Sequence, residues 1–279
     1  MSLMSGRADS RLKTSYGALF IGPPGSGKST CVSSLQSMCE RLNRHCVVLN
    51  FDPANIHPTY TPNFDICEVI DVKTVMSDEK LGPNGALLYC IETIAESIHQ
   101  ITEQLKPIIA GGSYLLIDCP GQVELYTHSE SMRRIIDAML KDLDLKLAVV
   151  NLVDIVLAST VSGFLGQSLM SLGSMLRLET PHINVLSKFD LAEELNLPYD
   201  PLDANFEDFL IHGNRSEDED DDGCGYIVKA VPNKLHDAIV ELLLNYDLVS
   251  YAQFTIHDET TVIELIQLID KAVGCTWML

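Results

Sequence analysis

Apolar residues follow two rhythms along this chain, short unbroken runs and longer stretches that recur every three or four positions, and the two rhythms alternate. The runs Tyr16 to Ile21, Cys46 to Phe51, Tyr114 to Ile117, Leu147 to Val153 and His182 to Leu186 predict buried strands, and Ser250 to Ile256 alternates as a sixth. Helices are expected over Ser29 to Leu42, along the stripe Leu87, Ile91, Ile94, Ile98, Ile101 and Leu105, and along Phe164, Leu165, Leu169, Leu172, Met175 and Leu176. Tyr226 to Tyr246 and Asp258 to Val273 read as two more. Strand alternating with helix implies an α/β fold, a mostly parallel doubly wound sheet with helices on both faces.

The first strand ends at Gly22-Pro23-Pro24-Gly25-Ser26-Gly27-Lys28-Ser29, a complete G-x-x-x-x-G-K-S loop set between strand and helix, as a P-loop NTPase requires. Its glycines let Gly25, Ser26 and Gly27 turn backbone N–H groups towards phosphate oxygens at a helix N-terminus, with Pro24, which has no N–H, as a further nucleotide contact. Lys28 supplies a point charge at the β- and γ-phosphates, Ser29 a hydroxyl for Mg²⁺, and Thr30 reaches the α-phosphate.

Later strands end in chemistry of the same kind. Asp52-Pro53 closes the second, and Pro53 keeps Asp52 extended at the carboxyl edge where ligands of open α/β sheets sit. The third delivers Asp118-Cys119-Pro120-Gly121-Gln122, in which a carboxylate orders Mg²⁺ through water, the Gly121 amide senses the γ-phosphate and Gln122 orients an attacking water. Glu124 either helps polarise that water or starts a helix. The fourth ends in Asp154, and the fifth delivers Ser187-Lys188-Phe189-Asp190, close to the N-K-x-D guanine signature. There the Asp190 carboxylate accepts from the guanine edge and Lys188 covers the base. Ser187 departs from Asn in that signature. By shape alone, Gly82-Pro83-Asn84-Gly85 is a turn with Asn84 as helix cap.

A net charge of −20, six of it in Glu217 to Asp222, sets the chain against nucleic-acid backbones and anionic membranes as partners. Eight scattered cysteines without metal spacing read as reduced core residues, and no apolar stretch approaches membrane-spanning length, so a soluble protein of cytosol or nucleus is expected. The domain reading is a flexible N-terminus over 1–15, one GTPase domain over 16–274 with an insertion and long helix over 54–110, an acidic mobile loop over 213–225, and a short end at 275–279. Two rivals stand beside it. An ATP-dependent P-loop kinase would need a basic lid, yet Leu191 to Gly225 contains a single arginine, Arg215; the other is a nucleotide-dependent binding scaffold with little turnover.

Taken in order, Gly22 to Ser29, Asp52-Pro53, Gly82-Pro83-Asn84, Asp118 to Gln122 and Ser187 to Asp190 resemble the GPN-loop GTPase family over nearly the whole chain. Cys119 to Leu125 and Pro181 to Asn184 resemble the eukaryotic second paralogue, with the third as the alternative. The resemblance overturns the cap reading of Asn84. It implies that Gly82, Pro83 and Asn84 form a loop reaching across a homodimer, or a heterodimer with a paralogue, to the partner's phosphates. It implies GTP hydrolysis with Mg²⁺ at Ser29, Asp118 and Asp52 and a catalytic set of Gln122, Asp52, Glu124, Lys28 and Asn84. With the guanine signature at Asp190, Thr255 and Ile256 at the end of the sixth strand are expected to supply backbone contacts to the base. It also implies a switch that shuttles between cytoplasm and nucleus, with RNA polymerase II subunits or assembly factors as clients.

Overall fold

The computed structural model describes residues 14–109, 112–197, 199–209 and 234–276. The acidic loop, most of the N-terminal segment, the first residues of the helix expected from Tyr226, and the last three residues lie outside them. In chain order the strands are β1 (Ser15–Ile21), β2 (Cys46–Asn50), β3 (Phe64–Asp65), β4 (Tyr114–Asp118), β5 (Leu145–Asp154), β6 (His182–Ser187) and β7 (Tyr251–Phe254). They form one sheet in the order β3-β2-β4-β1-β5-β6-β7, every neighbouring pair parallel. The six predicted strands are all present, β7 being shorter than its alternation suggested. The added one, β3, is a two-residue edge strand paired to Leu49 and Asn50, too short for any period to announce it.

The α-helices are α1 (Lys28–Arg41), α2 (Val72–Asp78), α3 (Pro83–Ile109), α4 (Glu124–Thr127), α5 (Ser131–Asp142), α6 (Val161–Leu178), α7 (Ala192–Leu195), α8 (Lys234–Tyr246) and α9 (Glu259–Val273). On one face of the sheet, α2, α3 and α5 bury Val72, Leu87, Ile91, Ile94, Ile98, Ile101, Leu105, Ile135 and Met139 against Leu19, Leu115 and Val149. The entire predicted stripe of α3 is in that core, each Leu or Ile contributing about 1.5–3 kcal/mol over its exposed state. The opposite face carries α1 and α9, where Val32, Leu35, Leu265 and Ile269 meet Ala18, Val48 and Leu116. The spacing of Met132, Ile135, Ile136 and Met139 marks α5, which the strand-and-loop reading passed over.

Hydrophobic burial on both faces leaves polar chemistry at the strand ends. Register puts those ends on one edge: Asp118 lies level with Phe20 and Asn50, and Ser187 with Asp154 and Phe254. All seven cysteines among the described residues are free.

Candidate functional site

At the end of β1 the chain must leave the sheet beside β5, and Gly22 makes that exit. Its φ is +135°, and a Cβ there would stand 2.2 Å from the Leu152 carbonyl oxygen. The loop then closes through a Ser26 N–H donated to the Pro23 carbonyl, and Gly27 caps α1 in the left-handed region. Lys28, the first residue of α1, is buried, and its Nζ donates to the carbonyls of Gly22 and Pro23 at 3.1 and 3.2 Å. Burial pushes its pKa down, while Asp118 and Asp52 pull it back up. Ser26 Oγ is buried without a partner, an orphan donor inside a loop shaped for anions.

Asp118 collects the second group of residues. Its Oδ2 accepts from Ser29 Oγ at 2.7 Å, from Tyr60 OH at 2.8 Å and from Asn55 Nδ2 at 3.3 Å. Its Oδ1 is buried and accepts nothing. Burial raises the Asp118 pKa, opposed by Ser29, Tyr60, Lys28 and Asn55. A hydroxyl hydrogen-bonded to a carboxylate that keeps one oxygen free is a hard-oxygen donor set, and it fits Mg²⁺.

Asp52 stands beside this group on the turn after β2. Asn50, wholly buried, builds that turn from below: its Oδ1 accepts from Asp52 N–H, and its Nδ2 donates to the carbonyl of Asn55 and to Asp65 Oδ1. Asp52 Oδ1 accepts from Ala54 N–H at 2.9 Å. Desolvation carries its pKa up to about 6, with Asp118 adding to the rise while the Ala54 bond and Lys28 oppose it. Asn50, Asn55 and Tyr60 were missed in the sequence. Asn55 had a signal, lying three residues beyond Asp52 on the same turn; Tyr60 had none, since only the fold carries it to Asp118.

Gln122 and Asn84 meet directly, Gln122 Nε2 donating to Asn84 Oδ1 at 2.7 Å. The shape-based expectation of Asn84 as helix cap is corrected: α3 begins at Pro83, whose missing N–H suits the first helical position, and the first helical bond runs from Ala86 N–H to the Gly82 carbonyl. Gly121 is held by close approach, since a Cβ there would lie 2.9 Å from Lys28 Nζ and 3.3 Å from Pro24.

The base end is looser. Lys188, in the left-handed region, ion-pairs with Asp154 Oδ2 at 2.5 Å. Asp190 is exposed, and its Oδ1 accepts from Thr255 Oγ1 at 2.9 Å. The backbone N–H and carbonyl of Thr255 both bond Thr261 Oγ1, so its side chain is what reaches Asp190. Ile256 is exposed. Ser187 is buried and donates to the Val153 carbonyl, serving the strand end.

A cavity of about 620 Å³ brings together Pro24, Gly25, Gly27, Lys28, Ser29 and Thr30 with Asp52, Asn55, Pro83, Asn84, Gly121, Gln122 and Lys188. Asp190, Thr255 and Ile256 lie outside its lining. Glu124 also lies outside, lining a neighbouring cavity of about 660 Å³ with Leu88 and His128, while Asn84 and Gln122 border both.

Comparison with known proteins places this geometry among relatives. The family model described as "Conserved hypothetical ATP binding protein" matches residues 20–275. GPN-loop GTPase 2 of Saccharomyces cerevisiae is 37% identical over 93% of this chain and 74% of its own length. The GPN-loop GTPase 2 homolog of Dictyostelium discoideum is 36% identical over 93% and 80%, and GPN-loop GTPase 2 of Danio rerio 35% over 93% and 81%. Among solved structures, an apo-form GTPase from Pyrococcus abyssi superposes with a TM-score of 0.72 at 22% identity, covering 94% of this chain and 98% of that one, a likeness of fold.

Proposed function

The chain belongs to the GPN-loop GTPase family, and from that premise we propose that it binds GTP at the β1–α1 loop and hydrolyses it to GDP and phosphate. The observation that carries this reading is the single cavity shared by the phosphate loop, Asp52, Gln122, Asn84 and Lys188. Adenine is the competing base, named in the description of the matched model. Guanine is favoured by Asp190, a carboxylate suited to the two donors of its Watson–Crick edge, and by the names of the relatives.

Lys28 and the loop amides bind and orient the β- and γ-phosphates. Ser29, Asp118 and Asp52 would hold Mg²⁺, which would supply charge neutralisation at the phosphates. Gln122 orients the attacking water. Asp52, whose carboxyl is carried up to about 6 by burial in the nucleotide-free chain, is the candidate for accepting a proton from that water. Glu124, set in the adjoining cavity, polarises water only through Gln122 or a solvent bridge.

The active form in this proposal is a dimer, homotypic or with a paralogue, in which Asn84 faces the partner's nucleotide. What supports it is the exposure of Asn84 together with apolar Leu81, Leu88 and Tyr89 around it. Within one chain Asn84 is bonded to Gln122, so action across the dimer exchanges that bond. The cellular role supported by family resemblance is assembly or nuclear import of RNA polymerase II by a protein moving between cytoplasm and nucleus. Capture with a GTP analogue or GDP, scored for polymerase subunits, tests that role. For the chemistry, Gln122→Leu is expected to keep GTP affinity while phosphate release falls by about 100-fold or more; unchanged release removes Gln122 from the mechanism.

A further inference from the structure

Three donors crowd onto one oxygen of Asp118 and none onto the other. Rotation of the carboxylate would exchange the two oxygens, so something must hold the group in the observed sense. Ser29 sits at the start of α1 and Asn55 on the Asp52 turn, and both line the nucleotide cavity. Tyr60 differs from both. It is buried in the core between the sheet and α1, and it does not line that cavity. Besides Asp118 Oδ2, its hydroxyl lies within 3.4 Å of Asn50 Oδ1, another acceptor, so its one proton goes to the nearer, charged oxygen.

We infer that Tyr60 is a positioning residue for the metal half of the site: its hydroxyl anchors Asp118 Oδ2 and so fixes the carboxylate beside Ser29, the hydroxyl that would hold a divalent cation. The inference rests on the proposal that Ser29 and Asp118 hold Mg²⁺. Groups that orient metal ligands act through affinity for the ion, so loss of the Tyr60 hydroxyl moves Mg²⁺ dependence before it moves chemistry.

The test is a Mg²⁺ titration of the full chain carrying a fluorescent GDP analogue, read as nucleotide release, beside GTP turnover at saturating Mg²⁺. Tyr60→Phe removes one oxygen and is expected to raise half-saturating Mg²⁺ by about 10-fold. Turnover at saturating Mg²⁺ stays within about twofold, because no reacting group is touched. Tyr114→Phe is the control, a second buried tyrosine of the same core whose hydroxyl has no hydrogen-bond partner; its half-saturation stays at the wild-type value. If Tyr60→Phe does not fold, Tyr60→Met is measured with the same expectation. Unchanged half-saturation in a folded Tyr60 variant overturns the inference, as does a loss confined to turnover at saturating Mg²⁺. Wild-type protein that retains nucleotide equally with and without Mg²⁺ overturns the metal reading itself, a different failure.

Discussion

The two ends of the nucleotide site are built differently. At the phosphate end Lys28, Asp118, Asn50 and Tyr60 are buried and hydrogen-bonded, and the carboxylates of Asp52 and Asp118 are tuned by their neighbours. At the base end Asp190 and Ile256 are exposed, and the side-chain contacts of Lys188 to Asp154 and of Thr255 to Asp190 lie near the surface. Burial explains the contrast. Phosphate and metal charges need a low-dielectric, preorganised setting, and the central strands β1 and β4 end there, packed on both faces. In the proposed function the base is recognised from loops after β6 and β7 at the sheet margin, where changes would alter selectivity without disturbing the core. Stability and catalysis are therefore coupled at one end and separable from specificity at the other.

The most demanding test of that separation is Asp190→Ala. Loss of a charged acceptor for two guanine donors is expected to weaken GDP affinity by about 100-fold and to narrow the preference over adenine nucleotides, read by competition binding. The melting temperature should move little, because the residue is exposed. A large drop in melting temperature would break the comparison.

At the phosphate end the expected signature is pH-dependent stability. In the unfolded chain Asp52 ionises at the ordinary carboxylate value, whereas in the fold burial moves it up to about 6. Stability from keeping it neutral is thus complete below the ordinary value and lost as pH rises through about 6. Asp52→Asn is expected to remove that decline from the nucleotide-free protein, a relative gain of about 2 kcal/mol between pH 4 and pH 7 in denaturant titrations. Asp118, raised for the same reason, keeps a residual slope in the variant. Identical pH profiles would place Asp52 with the loosely built end.

Thr255→Val gives the smallest expected effect. It deletes one neutral donor to Asp190 and should cost about 3- to 10-fold in GDP affinity by calorimetry, with GTP turnover at saturation preserved.

Much of this site can be read from the chain without coordinates. The order of strands and helices follows from apolar period, and the phosphate loop, Asp52, Asp118, Gln122 and Asp190 follow from motifs at the ends of apolar runs, because a parallel sheet puts every such end on one edge. Of the seven described cysteines, read from the sequence as core residues, five are buried, and Cys46 and Cys67 are half-buried. Distance across the fold is what sequence does not encode locally. Tyr60 reaches Asp118 over 58 positions, and Asn84 reaches Gln122 over 38. No period or motif pairs such residues, since their contact depends on β2 lying beside β4 and on the course of α3 along the sheet. The chain by itself determined which polar groups stand at the strand ends; tertiary packing decided which oxygen of Asp118 stays free, how far Asp52 is desolvated and which side chain holds Asn84, because each depends on neighbours brought in from elsewhere in the fold.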